Sequence, residues 1–137
     1  MTETSFPAPA RPVALVTGAS RGLGFAIAAA LGAQGYHVIA VARTTGGLEE
    51  LDDLIQKSGG SATLAPLNVT DENAMAHLAK SILERWGRLS LWVHAAIHAA
   101  PLSPAGHVDA KDFDKSVACN LRATAILTKL VLTQGLL

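Results

Sequence analysis

The chain of 137 residues has one cysteine, few charged residues and no long uninterrupted apolar segment, and each scarcity excludes a class of protein. The single cysteine, Cys119, excludes an internal disulfide and is expected to be a small buried apolar residue. Lysine plus arginine equals aspartate plus glutamate, at 11 each, so the charge predicts neither a nucleic-acid partner nor a membrane-surface partner. The apolar stretches are too short or too interrupted to span a bilayer.

What the chain has is an apolar fraction of 50%, which predicts a globular domain with one core. Residues 1–12 contain three prolines, without the basic start or apolar centre of a signal peptide. They are predicted to form a flexible tail ahead of a domain over residues 13–137. We expect the protein to be cytoplasmic.

Short apolar runs alternate with amphipathic segments along the rest of the chain. Strands are predicted at residues 13–17, 37–42, 62–67 and 89–96, and helices at 22–33, 47–57, 71–86 and 109–132. Thr70 is expected to cap the third helix. The alternation predicts an α/β fold: a doubly wound parallel sheet of about four strands in the order 3-2-1-4, with helices on both faces. A ligand would then bind at the carboxyl ends of the strands, where the order reverses.

A glycine-rich turn joins the first predicted strand to the first predicted helix, with the sequence Thr-Gly-Ala-Ser-Arg-Gly-Leu-Gly over residues 17–24. Gly18 permits a tight turn, Gly22 leaves room for a ligand beside the backbone, and Gly24 allows close packing of the helix. The free N–H groups at the helix start would face a pyrophosphate. An ordinary strand-to-helix turn is the alternative, and a P-loop is disfavoured because no Gly-Lys-Ser/Thr follows.

This turn resembles the cofactor signature of the short-chain dehydrogenase/reductase family, and the similarity continues from residue 13 to about residue 130. The resemblance implies a Rossmann-like fold, a dinucleotide cofactor, and hydride transfer between nicotinamide and an alcohol or carbonyl substrate. Residues 13–137 would be the N-terminal, cofactor-binding part of such a domain. The cofactor-binding residues implied are Gly18, Ser20, Arg21, Gly22, Leu23, Gly24, Arg43, Asn68, Val69, Ala95 and Ala96.

The cofactor expected is NADP, with NAD less favoured. Proteins that bind NAD in this way usually carry an acidic residue at the end of the second strand, where this chain has Ala42. The segment from Gly24 to Gly47 contains no acidic residue. Arg21 and Arg43 suit the 2′-phosphate of NADP, because a guanidinium group can bind phosphate through two hydrogen bonds. The alternative is that both arginines are solvated loop residues.

Two segments depart from the family pattern. Asn68 replaces the usual aspartate that contacts the adenine, although its amide keeps a carbonyl acceptor and Val69 keeps a backbone contact. The family's Asn-Asn-Ala-Gly reads His-Ala-Ala-Ile at residues 94–97. His94 is expected to brace neighbouring strands in place of asparagine, and Ile97 to crowd the nicotinamide ribose. No metal site is expected from His94, His98 and His107, which lack a defined set of further ligands.

The resemblance also gives expectations about catalysis. Asn120 aligns with an asparagine that bends the last common helix and holds a water in a proton relay; a solvent-facing polar residue is the alternative. The family's Tyr-x-x-x-Lys is absent, and the only tyrosine is Tyr36. We therefore expect a truncated reductase that is inactive by itself. The alternatives are a non-catalytic nucleotide-binding or regulatory module, and a decayed remnant that binds no nucleotide. Family members often form homo-oligomers through helices that include the last one here.

Overall fold

A computed structural model of the chain describes residues 11–134, so most of the predicted tail over residues 1–12 lies outside the described residues. Four parallel strands form one sheet: β1 (Val13–Thr17), β2 (His37–Ala42), β3 (Ser61–Pro66) and β4 (Leu91–His94). Their spatial order is β3-β2-β1-β4. This order confirms the predicted doubly wound sheet, and it reverses between β1 and β4.

Helices cover both faces of the sheet. They are α1 (Gly22–Ala33), α2 (Thr45–Lys57), α3 (Glu72–Trp86), α4 (Ala110–Ser116) and α5 (Ala123–Thr133). A π-helical segment, Val117–Arg122, joins α4 to α5, and a short 3₁₀ turn, Ala105–His107, precedes α4. Within residues 11–134, no helix combines the length and apolar character needed to cross a membrane.

The core has two layers because side chains alternate across the faces of each strand. On one face, β-strand side chains pack with α1 and α2, through residues that include Val16, Val38, Ala40, Ala28, Leu48, Leu51 and Ile55. On the other, they pack with α3 and α5, through residues that include Leu15, Ile39, Val41, Met75, Ile82, Leu127 and Val131. The sheet is thus covered on both sides, as the continuous apolar strands predicted.

Several element boundaries differ from the sequence prediction. The predicted cap Thr70 is wrong: Asp71 is the N-cap of α3, and its carboxylate accepts a hydrogen bond from the N–H of Ala74. Gly87 ends α3 in the left-handed conformation, at φ +81°, as glycine readily does. Strand β4 covers residues 91–94 rather than 89–96, and α2 begins at Thr45 rather than at Gly47.

The amino ends of β2 and β3 carry a polar cluster, away from the reversal point. Nδ1 of His37 lies 2.7 Å from the Ser61 hydroxyl, and Nε2 lies 2.9 Å from the Thr63 hydroxyl. Partial burial lowers the pKa of His37, and the positive charges of Arg85 and Arg11 lower it further. His37 therefore favours its neutral form within a set of hydrogen bonds that joins the two strands.

Candidate functional site

The turn between β1 and α1 has a backbone that only glycine adopts readily at two positions. Gly18 has φ +66° and Gly22 has φ +62°. A Cβ on Gly18 would lie 2.7 Å from backbone atoms of Ala95 and Ala96, which follow β4. Apart from the adjoining chain, no heavy atom of residues 11–134 would lie within 4 Å of a Cβ on Gly22. Gly18 is therefore required for a contact within the protein, whereas Gly22 borders open space that a ligand could occupy.

Two further glycines bring helices against this turn. A Cβ on Gly24 would collide with the carbonyl of Gly18, so α1 begins directly against the turn. A Cβ on Gly47, in the first turn of α2, would collide with the carbonyl of Ser20 and lie 2.8 Å from its Cβ. The sequence prediction missed Gly47. The Gly46-Gly47 pair at the start of a helix was the available signal, since glycine is unfavourable there unless close packing requires it.

The N-terminus of α1 is open. Its N-cap, Arg21, makes no side-chain capping hydrogen bond, and the first turn of the helix contains no acidic residue. Leu23 is 72% exposed, and Gly22 is exposed as well. The first N–H groups of a helix have no partner in the helix and carry partial positive charge. This terminus can therefore bind an anion at the carboxyl edge of the sheet.

Thr17 joins the turn to the end of β4. Its hydroxyl oxygen accepts hydrogen bonds from the N–H groups of Ala95 (3.1 Å) and Ala96 (3.2 Å), and lies 2.7 Å from Nδ1 of His94. Because both hydroxyl lone pairs are in use, the O–H must donate to Nδ1, which places the ring proton of neutral His94 on Nε2. Partial burial lowers the pKa of His94 and favours that neutral form. His94 therefore hydrogen-bonds across the two strands, as its sequence position led us to expect.

Arg21 and Arg43 are both exposed at this edge, and no ion pair involves either of them within residues 11–134. Ala42, at the end of β2, is 8% exposed and offers no carboxylate. Burial raises the pKa of the Cys119 thiol, and the charge of Arg43 opposes that rise. The guanidinium group of Arg43 is thus close enough to the π-helical segment for its field to act on a residue there.

Asn68 and Val69 follow β3 beside the end of β2, where the N–H of Leu67 donates to the carbonyl of Ala42 (2.9 Å). Val69 is buried and Asn68 is exposed. Oδ1 of Asn68 accepts hydrogen bonds from the backbone N–H (3.0 Å) and the hydroxyl (2.8 Å) of Thr70. The carbonyl acceptor expected from the sequence is therefore present, but it is already engaged within the chain.

Asn120 lies in the π-helical segment and binds the chain that follows β4. Its Oδ1 accepts from the N–H of His98, and its Nδ2 donates to the carbonyl of His98, both at 2.8 Å. Its own backbone carbonyl accepts from the Thr124 hydroxyl at 3.0 Å. A π-helical turn is a local widening that is common at functional sites. Asn120 thus holds the loop after β4 against the helix instead of only facing solvent.

His94 and His98 have different partners at this edge. Nε2 of His98 lies 3.8 Å from a carboxylate oxygen of Asp112, whereas His94 bonds Thr17. In the part of the chain that the structure describes, no three histidine, cysteine or acidic side chains gather as metal ligands would. Ile97 is 72% exposed in the loop after β4. The structure places all of the residues expected to bind cofactor at the carboxyl edge of the sheet or in the turns that leave it.

Comparisons with known proteins agree with this architecture. The sequence profile described as short chain dehydrogenase matches residues 12–136. A probable NADP-dependent dehydrogenase of Haemophilus influenzae is 32% identical over 87% of this chain and 46% of its own length. A putative short chain dehydrogenase from Pseudomonas syringae superposes with a TM-score of 0.83 at 32% identity, over 90% of this chain and 51% of that one.

A third relative is a 3-oxoacyl-[acyl-carrier protein] reductase from Brucella melitensis, solved in complex with NAD. Its TM-score is 0.83 at 27% identity, over 94% of this chain and 51% of that chain. The chain therefore spans about half the length of the relatives it matches. The match of the profile to nearly the whole chain and the agreement in sheet order lead to one conclusion: the chain belongs to the short-chain dehydrogenase family of oxidoreductases, whose members bind a dinucleotide cofactor.

Proposed function

We propose that these residues bind NADP(H) for a reductase that transfers hydride between the cofactor and an alcohol or carbonyl compound. The observation that supports this best is the open N-terminus of α1 beside Gly22, where the described part of the chain leaves free the space beside a Cβ. The N–H groups of that terminus would hold the pyrophosphate, and the backbone at Ala95 and Ala96 would border the nicotinamide end. When bound, the nicotinamide would supply the hydride acceptor or donor.

The preference for NADP rests on charge. Arg21 and Arg43 are exposed at the site, and the buried Ala42 leaves no carboxylate that would repel a 2′-phosphate or bind a free 2′-hydroxyl. Hydrogen bonds to a charged group contribute about 1.5–3 kcal/mol, so one arginine can provide roughly a tenfold or greater preference. The name of the Haemophilus influenzae relative favours NADP, whereas the Brucella melitensis relative was solved with NAD.

The test is a calorimetric titration of the protein with NADPH and with NADH. We expect tighter binding of NADPH, and Arg43→Asp should reduce or reverse that preference. Arg88→Asp is a matched control, because Arg88 is exposed but lies beyond the end of α3, ahead of β4 and at the opposite edge of the sheet. An unchanged preference in Arg43→Asp would show that Arg43 does not bind the 2′-phosphate. If millimolar NADPH does not bind, the proposal is wrong and a remnant without nucleotide binding is favoured.

Asn120 is proposed as a positioning residue for catalysis, since it fixes the loop after β4 through His98. The sequence contains no Tyr-x-x-x-Lys, and we propose that these 137 residues bind cofactor without hydride transfer when they are alone. A second candidate is a non-catalytic nucleotide-binding module, which Ile97 favours by placing a branched side chain where the family has glycine. Binding of NADPH without turnover in the whole protein would support that candidate over the reductase.

We also propose self-association through the last predicted helix, residues 109–132. Phe113, Val117 and Leu121 recur at intervals of four residues from α4 into the π-helical segment, and their side chains are 58%, 37% and 66% exposed. Contact with a second copy would remove this apolar surface from water. The cytoplasmic location and the truncation expected from the sequence stay predictions.

A further inference from the structure

The polar cluster at the amino ends of β2 and β3 lies at the edge of the sheet opposite the proposed cofactor site. Oγ of Ser61 accepts a hydrogen bond from Nη1 of Arg11 at 3.2 Å. The two ring nitrogens of His37 lie 2.7 Å from that oxygen and 2.9 Å from the Thr63 hydroxyl. Arg11 is exposed and the other three are half-buried. These four residues and Arg85 are termed the amino-edge cluster.

Arg85 joins the cluster through Trp86, the last residue of α3. The ring centroids of Trp86 and His37 are 5.1 Å apart, and the guanidinium carbon of Arg85 lies 4.3 Å from the Trp86 centroid. A guanidinium group stacked on a ring keeps its N–H donors, which lie in its own plane. Within residues 11–134, neither Arg11 nor Arg85 forms an ion pair. Two positive charges therefore border the cluster without a carboxylate paired to either.

The protonation state of His37 decides how many hydroxyl protons the cluster can offer. A neutral imidazole has one donor and one acceptor nitrogen, so either Ser61 or Thr63 must donate its proton to the ring. A protonated imidazole donates from both nitrogens, and both hydroxyl protons are then free for another acceptor. Partial burial lowers the pKa of His37, as do the charges of Arg85 on α3 and Arg11 ahead of β1. An anion beside the guanidinium groups would offset this repulsion and accept from both hydroxyls.

We propose that the amino-edge cluster binds a tetrahedral oxyanion, a sulfate or a phosphate group, together with one proton on His37. The guanidinium groups supply positive charge and the hydroxyls supply further donors, which is the chemistry by which side chains bind such groups. The site is separate from the proposed cofactor site, because the six residues of β2 hold the two about 16 Å apart at roughly 3.3 Å per residue. The proposal therefore does not depend on nucleotide binding.

The test is an NMR titration of the histidine ring signals with pH, in sulfate and in chloride at equal ionic strength. Sulfate keeps both negative charges throughout, so a pH-dependent effect belongs to the protein. His37→Gln identifies the signal of His37, and His77, which is exposed on α3, is an internal control. We expect sulfate to bind about tenfold more tightly when His37 is protonated, and so to raise the pKa of His37 but not that of His77.

Arg85→Gln and Arg11→Gln should each raise the pKa of His37 in chloride, because a repelling charge is lost, and should each weaken the effect of sulfate. Lys57→Gln is the matched control, since Lys57 is exposed at the same edge but ends α2, on the other face of the sheet. Thermal denaturation reports whether each variant is folded.

Glycerol 3-phosphate distinguishes two sources of the oxyanion. An effect equal to that of sulfate would indicate a phosphate group carried on a larger molecule, whereas an effect of sulfate alone would indicate a free ion. An equal pKa of His37 in sulfate and in chloride, measured on the unmodified protein, would overturn the inference whatever NADPH does. A full effect of sulfate in both arginine variants would overturn it as well.

Discussion

Replacement of Thr17 by valine tests whether one hydroxyl group organises the carboxyl edge of the sheet. The side chain is fully buried, and valine has nearly the same shape without the hydroxyl. Loss of the oxygen removes the acceptor for the N–H groups of Ala95 and Ala96 and the donor to Nδ1 of His94. The turn after β1 and the end of β4 would then lose their shared hydrogen bonds while their backbones stay close together.

The cost can be worked out from these three bonds. A buried polar group that loses its partner costs about 1–3 kcal/mol, and the N–H groups of Ala95 and Ala96 are only part-buried. We expect Thr17→Val to lower the free energy of unfolding by about 2–4 kcal/mol. Thr17→Ser is the matched control, because it keeps the hydroxyl and loses one buried methyl group, at a cost of about 1 kcal/mol.

The measurement is urea denaturation of the three proteins, followed by tryptophan fluorescence. Thr17→Val should lower the midpoint more than Thr17→Ser does, with similar slopes, because the surface exposed on unfolding hardly changes. A midpoint for Thr17→Val equal to or above that of Thr17→Ser would refute the assignment of the three hydrogen bonds as a stabilising set.

Two further predictions concern the same edge. Gly22→Ala should lower the free energy of unfolding by about 1 kcal/mol, because of its positive φ alone. Gly18→Ala should lower it by at least about 2 kcal/mol more, because its Cβ would also meet the backbone that follows β4. Equal losses in urea denaturation would contradict the contact at Gly18. Burial lowers the pKa of His94, so the unfolded chain binds its proton at higher pH than the folded chain does. The part of the unfolding free energy that depends on neutral His94 is therefore present above about pH 6.5, and it is lost as the pH falls through the pKa of His94 in the folded protein. His94→Asn should reduce the loss of unfolding free energy between pH 7.5 and pH 5, leaving the part due to His37; an unchanged loss would show that His94 does not contribute.

The fold and the location of the site could be predicted because they depend on local patterns. Apolar strands, amphipathic helices and the glycine turn each depend on residues that are adjacent in sequence, and together they give the sheet order. The end of β4 could not be predicted in the same way. Residues 95 and 96 continue the apolar run, but their N–H groups donate to the Thr17 side chain instead of to a strand. Ala95 and Ala96 lie 78 and 79 positions after Thr17 in the sequence, so neither local segment indicates this contact.

The same limit applies to Asn68 and to the start of α2. The sequence shows that Asn68 has both an acceptor and a donor, but only the structure shows that Thr70 uses the acceptor. The pair Gly46-Gly47 reads locally as a break, yet α2 starts before it at Thr45, because the missing side chain of Gly47 lets the helix lie against Ser20. In both cases the sequence around a residue permits two roles, and a neighbour in space decides between them.

The π-helical segment over residues 117–122 sets the rotational phase between the two ends of the last helix. An α-helix advances by 100° per residue, and a π-helical turn contains one residue more than an α-helical turn would. Deletion of one residue from this segment would therefore restore regular α-helix and leave the helix beyond it in nearly the same rotational phase. Leu127 and Val131 would keep their places against the sheet, whereas Asn120 would lose the widened turn in which it contacts His98. Loss of one residue from this short stretch should therefore disturb the loop after β4 more than the packing of α5 on the sheet.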